Sequence, residues 1–197
     1  MSKAPQGSNQ EQVNNSSPAM SVAKVGDCIG DLINLENTGM ITKAGLAIKS
    51  GGASPLAAAA SGFVAQVNGA IVYVAAATSM PAIAGTLPTA DSAAWAFYVN
   101  QSGTLSASAM ATPASTVAGA IANLVSLAAA TAPAPVGAQQ PVYSALIGFI
   151  VVSNATGGNF TAGTTNLDAA SVTTLYFDAL GNSQLVPVLT QENRPIY

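Results

Sequence analysis

Three carboxylates fall close together in this chain: Asp27, Asp31 and Glu36. On a helix Asp27 and Asp31 share a face at i, i+4, where a carboxylate pair could move a proton or hold a cation. A calcium loop needs several oxygen donors at close spacing, and no EF-hand pattern is present. The cluster therefore reads better as a solvated polar face opposite an apolar stripe. The other acids, Glu11, Asp91, Asp168, Asp178 and Glu192, are scattered.

Nucleophiles are plentiful but lack partners. Serines and threonines abound, yet the chain has no histidine to activate them and no Ser-x-x-Lys motif. Cys28 is the single cysteine, without a His partner, and reads as a small buried hydrophobe. The glycine-rich stretches "GGASPLAAAASG" and "ATGGN" lack the Lys-Ser/Thr ending of a P-loop and the spacing of a dinucleotide fingerprint, so they read as turns. Trp95, Phe97 and Tyr98 could form a stacking platform for a sugar, although alternating aromatics on a strand more often build a core. The expectation is a protein that is not an enzyme, with no cofactor and no metal.

Charge excludes further classes. Only 7% of the 197 residues are charged, against roughly 25% in an ordinary soluble domain. The five Lys and Arg form no patch, which argues against nucleic acid, where phosphate neutralisation supplies most of the affinity. No window reaches the ~18 uninterrupted apolar residues of a membrane helix, so no membrane association is expected. The N-terminal "MSKAPQGSNQEQVNNSSPAM" lacks the apolar core of a secretory signal, and one cysteine suits a reducing cytoplasm. Asn-x-Thr triplets at Asn154 and Asn159 then read as chance. A neutral surface of Ala, Ser, Thr, Gly and Asn offers little charge repulsion between copies.

The elements behind these residues divide the chain in three. Residues 1–20 are polar and form a flexible arm, too poor in large apolar side chains to fold alone. Residues 21–44 form a helix or docking segment. Val22, Val25, Ile29, Leu32 and Ile33 fall at helical spacing, with Ser21 as N-cap and "ENTG" as the stop. That stripe is the candidate docking surface, against the main domain, a sister subunit or a larger partner, and a strand-and-turn reading is its alternative. Residues 45–197 form a β-rich domain of about eight short strands, an antiparallel sandwich or a barrel-like sheet. Its signals are "GLAIKSGG", the Asn68-Gly69 hairpin in "SGFVAQVNGAIVYVAAA", and an aromatic strand through Trp95, Phe97 and Val99 that returns through Leu105. Then come strands at Leu146–Ser153 and Val172–Asp178, and "QLVPVLTQ", where Pro187 argues for an edge. One inserted helix is expected over about Ser115–Ala130, with Val117, Ile121, Leu124, Val125 and Ala128 on one face. Between two of the strands, Phe160 and Leu167 look like apolar pins for an uncharged loop.

The order of these pieces resembles a pattern in structural proteins of tailed-bacteriophage virions. It runs from "GLAIKSGGASPLAAAASGFVAQVNGAIVYVAAA" through "AAWAFYVNQSGTLSA" to "QPVYSALIGFIVVSNATGGNFTAGTTNLDAASVTTLYFD", about residues 45–178. Within it, "IGFIVVSN" and "NFTAGTTNLDA" are the pieces most similar to that arrangement. The resemblance implies a virion protein assembled in the host cytoplasm: a capsid decoration (cement) or head-fibre protein bound to the major capsid protein, as a homotrimer. A tail, baseplate or fibre component, or a glycan-binding module on Trp95, is the alternative.

Overall fold

The computed structural model describes residues 38–130 and 144–181. The strands are β1 (Gly39–Met40), β2 (Leu46–Ile48), β3 (Ala57–Ala59), β4 (Phe63–Val67), β5 (Ala70–Val74) and β6 (Thr86–Leu87). They continue with β7 (Asp91–Asn100), β8 (Leu105–Ala107), β9 (Ser144–Asn154), β10 (Phe160–Thr161) and β11 (Val172–Asp178). Among the described residues one helix, α1 (Val117–Ala130), interrupts them, and a 3-10 turn at Lys49–Gly51 follows β2. The domain is thus mainly β, as composition and alternation indicate.

Among the described residues every strand pair is antiparallel. The main sheet runs β11-β9-β7-β8, a second runs β1-β4-β5, and β2-β3 and β10-β6 are two-stranded. Among the described residues these sheets stay open, so the barrel-like alternative does not hold.

The long strands carry the core. β7 is buried from Ser92 to Phe97, and β9 is buried at all positions from Ala145 to Asn154 except Phe149 and Ser153. Near-continuous burial means that both faces are covered. Helix α1 packs against β7 and β9, and the second sheet lies against the same two strands through β4. Trp95, Phe97 and Val99 alternate with Ala94 and Ala96 along β7, so bulky and small side chains occupy opposite faces.

A register shift between Phe97 and Tyr98 leaves Ile147 without an opposite number on β7: Phe97 faces Gly148 while Tyr98 faces Leu146. Such a bulge bends the strand. On its other side, toward β11, the Ile147 carbonyl accepts the Ala179 N–H at 2.9 Å and extends that ladder beyond Asp178.

The β4–β5 hairpin forms where Asn68-Gly69 places it. Val67 pairs with Ala70, and Asn68 and Gly69 both have positive φ (49° and 77°), the geometry of a type I′ turn. α1 begins at Val117, slightly later than expected. The Thr116 hydroxyl accepts the Gly119 N–H at 3.1 Å and caps it. Ala120 and Leu124 are fully buried, with Val117, Ile121 and Leu127 packed beside them. The apolar stripe is therefore rotated toward Ala120 relative to the predicted one through Val125.

The domain also starts earlier than Gly45. Met40 and Ala44 are buried, β1 pairs with β4, and Thr38 Oγ1 accepts the Asn68 N–H at 3.0 Å. Gly39 is therefore a strand residue rather than a helix stop. The arm at 1–20, the stripe Val22, Val25, Ile29, Leu32 and Ile33 and the strand around Pro187 lie outside the described residues. Among those described, no helix is long and apolar enough to cross a membrane.

Candidate functional site

Two of the scattered acids hold backbone in place. Asp178, the last residue of β11, accepts the Leu46 N–H of β2 on Oδ1 at 2.9 Å. Asp168 accepts the Ala53 N–H on Oδ2 at 2.7 Å. Carboxylate–amide bonds of this kind are charge-assisted and set the register of loops. Tyr176 lies near Asp168. Burial, and after it the negative charge of Asp168, push the Tyr176 phenol up to about 12. Burial also raises Tyr98. Both phenols therefore stay protonated near neutral pH. Among the described residues, no three His, Cys, Asp or Glu side chains gather as a metal centre requires.

The aromatic platform is core. Trp95 is fully buried, with Nε1–H donating to the Ala84 carbonyl at 3.0 Å, and Phe97 is buried beside it. Only Tyr98 of that trio is partly accessible. No sugar can stack on the Trp95 face without unfolding the domain.

The loop after β9, whose one charged residue is Asp168, is pinned as its two apolar residues suggest. Phe160 and Leu167 are buried, Phe160 opposite Leu87 in the β10–β6 pair. Leu167 N–H donates to the Ser54 carbonyl at 2.9 Å, and Thr174 Oγ1 donates to the Leu167 carbonyl at 2.7 Å. At the root of the loop sits Asn154, a buried amide. Its Nδ2 donates to the carbonyls of Gly158 (2.8 Å), Pro88 (3.2 Å) and Leu87 (3.4 Å). This side chain is committed to structure, so it is no glycan acceptor.

One surface stands apart from this self-satisfied interior. On β5, Val72 and Val74 point inward, while Ile71 is 64% and Tyr73 70% exposed. Tyr73 pairs with half-buried Val64, and Ile71 with half-buried Gln66. Ile41 N–H donates to the Val64 carbonyl at 2.9 Å, which sets Ile41, 50% exposed, on the same outer face. The outer face of β1-β4-β5 therefore presents Ile41, Val64, Ile71 and Tyr73 around one polar side chain, Gln66, with no charged residue among them. Contiguous apolar surface of this kind marks an interaction site more often than isolated exposed residues do. Alternation alone misses it, because "AIVYV" is apolar on both faces. The missing polar residues at 71 and 73 are the signal that could have revealed it.

Chemically, the exposed band offers area for contact. The acids tie loops, the phenols remain neutral, and Tyr73 is an amphipathic contact on that band. No protein family, curated protein or solved structure matches the chain.

Proposed function

We propose that this protein is a structural component of a tailed-bacteriophage virion, one that binds the assembled capsid and decorates or cements it. The observation that carries this reading is the nearly uncharged exterior of the folded domain. Among the described residues the charged side chains are Lys43, Lys49, Asp91, Asp168 and Asp178. Two of these five are bonded to backbone. Copies of such a domain can crowd on a shell with little mutual repulsion. The resemblance over residues 45–178 supports the same reading.

In this proposal the β-rich domain is the outward knob, and residues 1–20 form the arm that reaches the major capsid protein. Three copies act together. Each ordering arm costs conformational entropy, and multivalent attachment offsets it.

The test is co-sedimentation of the purified protein with expanded, undecorated heads, alongside separated tails. Saturable binding to heads is expected, with light scattering reporting a trimer. Binding to tails alone would move the protein to the tail, and failure to bind either would remove the proposal.

A further inference from the structure

We infer that Asn68-Gly69, at the tip of the β4–β5 hairpin, is a self-modifying site. The Asn68 side-chain amide converts to aspartate and isoaspartate through a succinimide, and the Thr38 hydroxyl helps hold the turn that keeps this conversion slow. The inference stands whether or not the protein decorates capsids.

The two residues supply the reactants. They form the one Asn-Gly pair in the chain. Gly69 is exposed, and a Cβ placed on it would meet nothing within 4 Å, so no neighbour shields its nitrogen. Glycine adds no side chain of its own to hinder the approach. Among the described residues, no hydrogen bond holds the Asn68 side-chain amide or the Gly69 N–H. Hydroxide removes the Gly69 amide proton, and the nitrogen attacks the Asn68 side-chain carbonyl carbon. A C–N bond forms there, the bond to the side-chain nitrogen breaks, and that nitrogen leaves as ammonia with a proton from water. Water then opens the imide ring. Cleavage on the side-chain side gives aspartate. Cleavage on the main-chain side gives isoaspartate, whose backbone runs through Cβ and Cγ. Ammonia is exchanged for water, and nothing is oxidised or reduced.

The fold restrains the same reaction. Positive φ at both residues, 49° and 77°, gives the type I′ turn. In such a turn the first central residue has ψ of roughly +30°, the mirror of type I. The Gly69 nitrogen then lies nearly opposite the Asn68 side chain across the Cα–C bond. The ring closes only after that bond swings through nearly half a turn, which opens the tip. Thr38 opposes the opening. It is buried, and its Oγ1 accepts the Asn68 N–H at 3.0 Å, which ties the turn to the residue before β1. Reaction therefore runs at the unfolded rate multiplied by the fraction of time the tip is open. Its products change the neighbouring face. Either product adds a charge beside Ile71 and Gln66, and isoaspartate lengthens the two-residue loop that sets the Val67–Ala70 register.

The full-length protein is incubated in mildly alkaline buffer, native and in concentrated guanidinium chloride. The peptide carrying residue 68 is followed by mass, with isoaspartate resolved by chromatography. Native wild type is expected to gain the single mass unit at least about tenfold more slowly than the unfolded chain. Thr38→Val, which lacks the acceptor, should react at least about threefold faster than wild type when native, and equally fast when unfolded. Thr38→Ser keeps the hydroxyl and should stay within about twofold of wild type. A Thr38→Val chain that fails to fold reacts alike in both conditions, and the latch is then read from hydrogen exchange in native wild type. The Asn68 N–H should exchange at least about tenfold more slowly than in the unfolded chain. Equal native and unfolded rates in wild type, no mass gain in the unfolded chain, a folded Thr38→Val no faster than wild type, or a freely exchanging Asn68 N–H would each overturn the inference.

Discussion

Gly148 and Leu46 touch across the two halves of the domain. A Cβ built on Gly148 would stand 2.7 Å from Leu46 Cδ1, 3.2 Å from the Asp178 Cα and inside contact distance of the Phe177 carbonyl. Two of those obstacles are backbone of the paired strand β11 and cannot swing away. Gly148→Ala is therefore expected to destabilise the domain by about 1–3 kcal/mol, the usual cost of overpacking a close-fitted core. Denaturant unfolding followed by Trp95 fluorescence measures it. An unchanged midpoint would mean that β9 and β11 can separate freely at this point.

Asn154 should be harder to replace than its place in an Asn-x-Thr triplet suggests. Asn154→Ala leaves three carbonyls without their donor and should cost about 1–3 kcal/mol. Asn154→Asp should cost more at neutral pH, because a buried carboxylate cannot donate and faces the negative ends of the same carbonyls. Thermal melts of the two variants test that order.

Alkaline pH should expose the Tyr176 environment. The folded-state phenol is raised to about 12, above its unfolded value of about 10. The raised group favours the folded state while protonated, so its stabilisation is fully present below about pH 10 and is lost as pH rises toward about 12. The Tyr176 side chain is only partly buried, so the loss is softened by solvent. Tyr176→Phe should flatten the decline in that window, leaving the smaller part due to Tyr98. An identical alkaline decline in wild type and variant would count against the assignment.

The β4–β5 turn offers a graded test of backbone conformation. Asn68 and Gly69 both occupy the left-handed region. Gly69→Ala should cost about 1–2 kcal/mol, since a Cβ is disfavoured there even with open space around it. Asn68→Ala should cost less than that, because Asn68 already carries a Cβ and its N–H bond to Thr38 is made by the backbone. Calorimetric midpoints should rank wild type, Asn68→Ala and Gly69→Ala in that order.

Leu124 anchors α1 and is fully buried. Leu124→Ala should cost about 2–5 kcal/mol, and the exposed Ser126→Ala close to nothing. Equal melting temperatures for the two would mean that the helix is not part of the cooperative unit.

Five strands were legible in the residues alone, by alternation or as short apolar runs between turn signals: Phe63–Val67, Ala70–Val74, the Trp95 strand, Leu146–Ser153 and Val172–Asp178. So were the inserted helix and the Phe160 and Leu167 pins. Four strands were not. Ala57–Ala59 sits in an alanine run with no contrast between faces, and Gly39–Met40, Thr86–Leu87 and Phe160–Thr161 are too short for alternation to register. Their pairing comes from distant partners. The same holds for Asp168 and Asp178, whose bonds span 115 and 132 residues. A lone acid carries no local sign that it closes a loop. The exposed band at Ile41, Ile71 and Tyr73 was hidden by the opposite problem, a strand too uniformly apolar to reveal which side faces water.

Met40 and Gly181 exchange two hydrogen bonds, N–H of Met40 to Gly181 at 2.9 Å and N–H of Gly181 to Met40 at 2.7 Å. Because this pair is antiparallel, the chain before Met40 and the chain after Gly181 depart from the same side of the domain. Tension applied between the two ends would pull this pair apart like a zipper, one contact at a time. The ten paired positions of β7 and β9 would carry none of that load at first. Stretching applied between Met40 and Gly181 would therefore load these two bonds before it reached the central ladder.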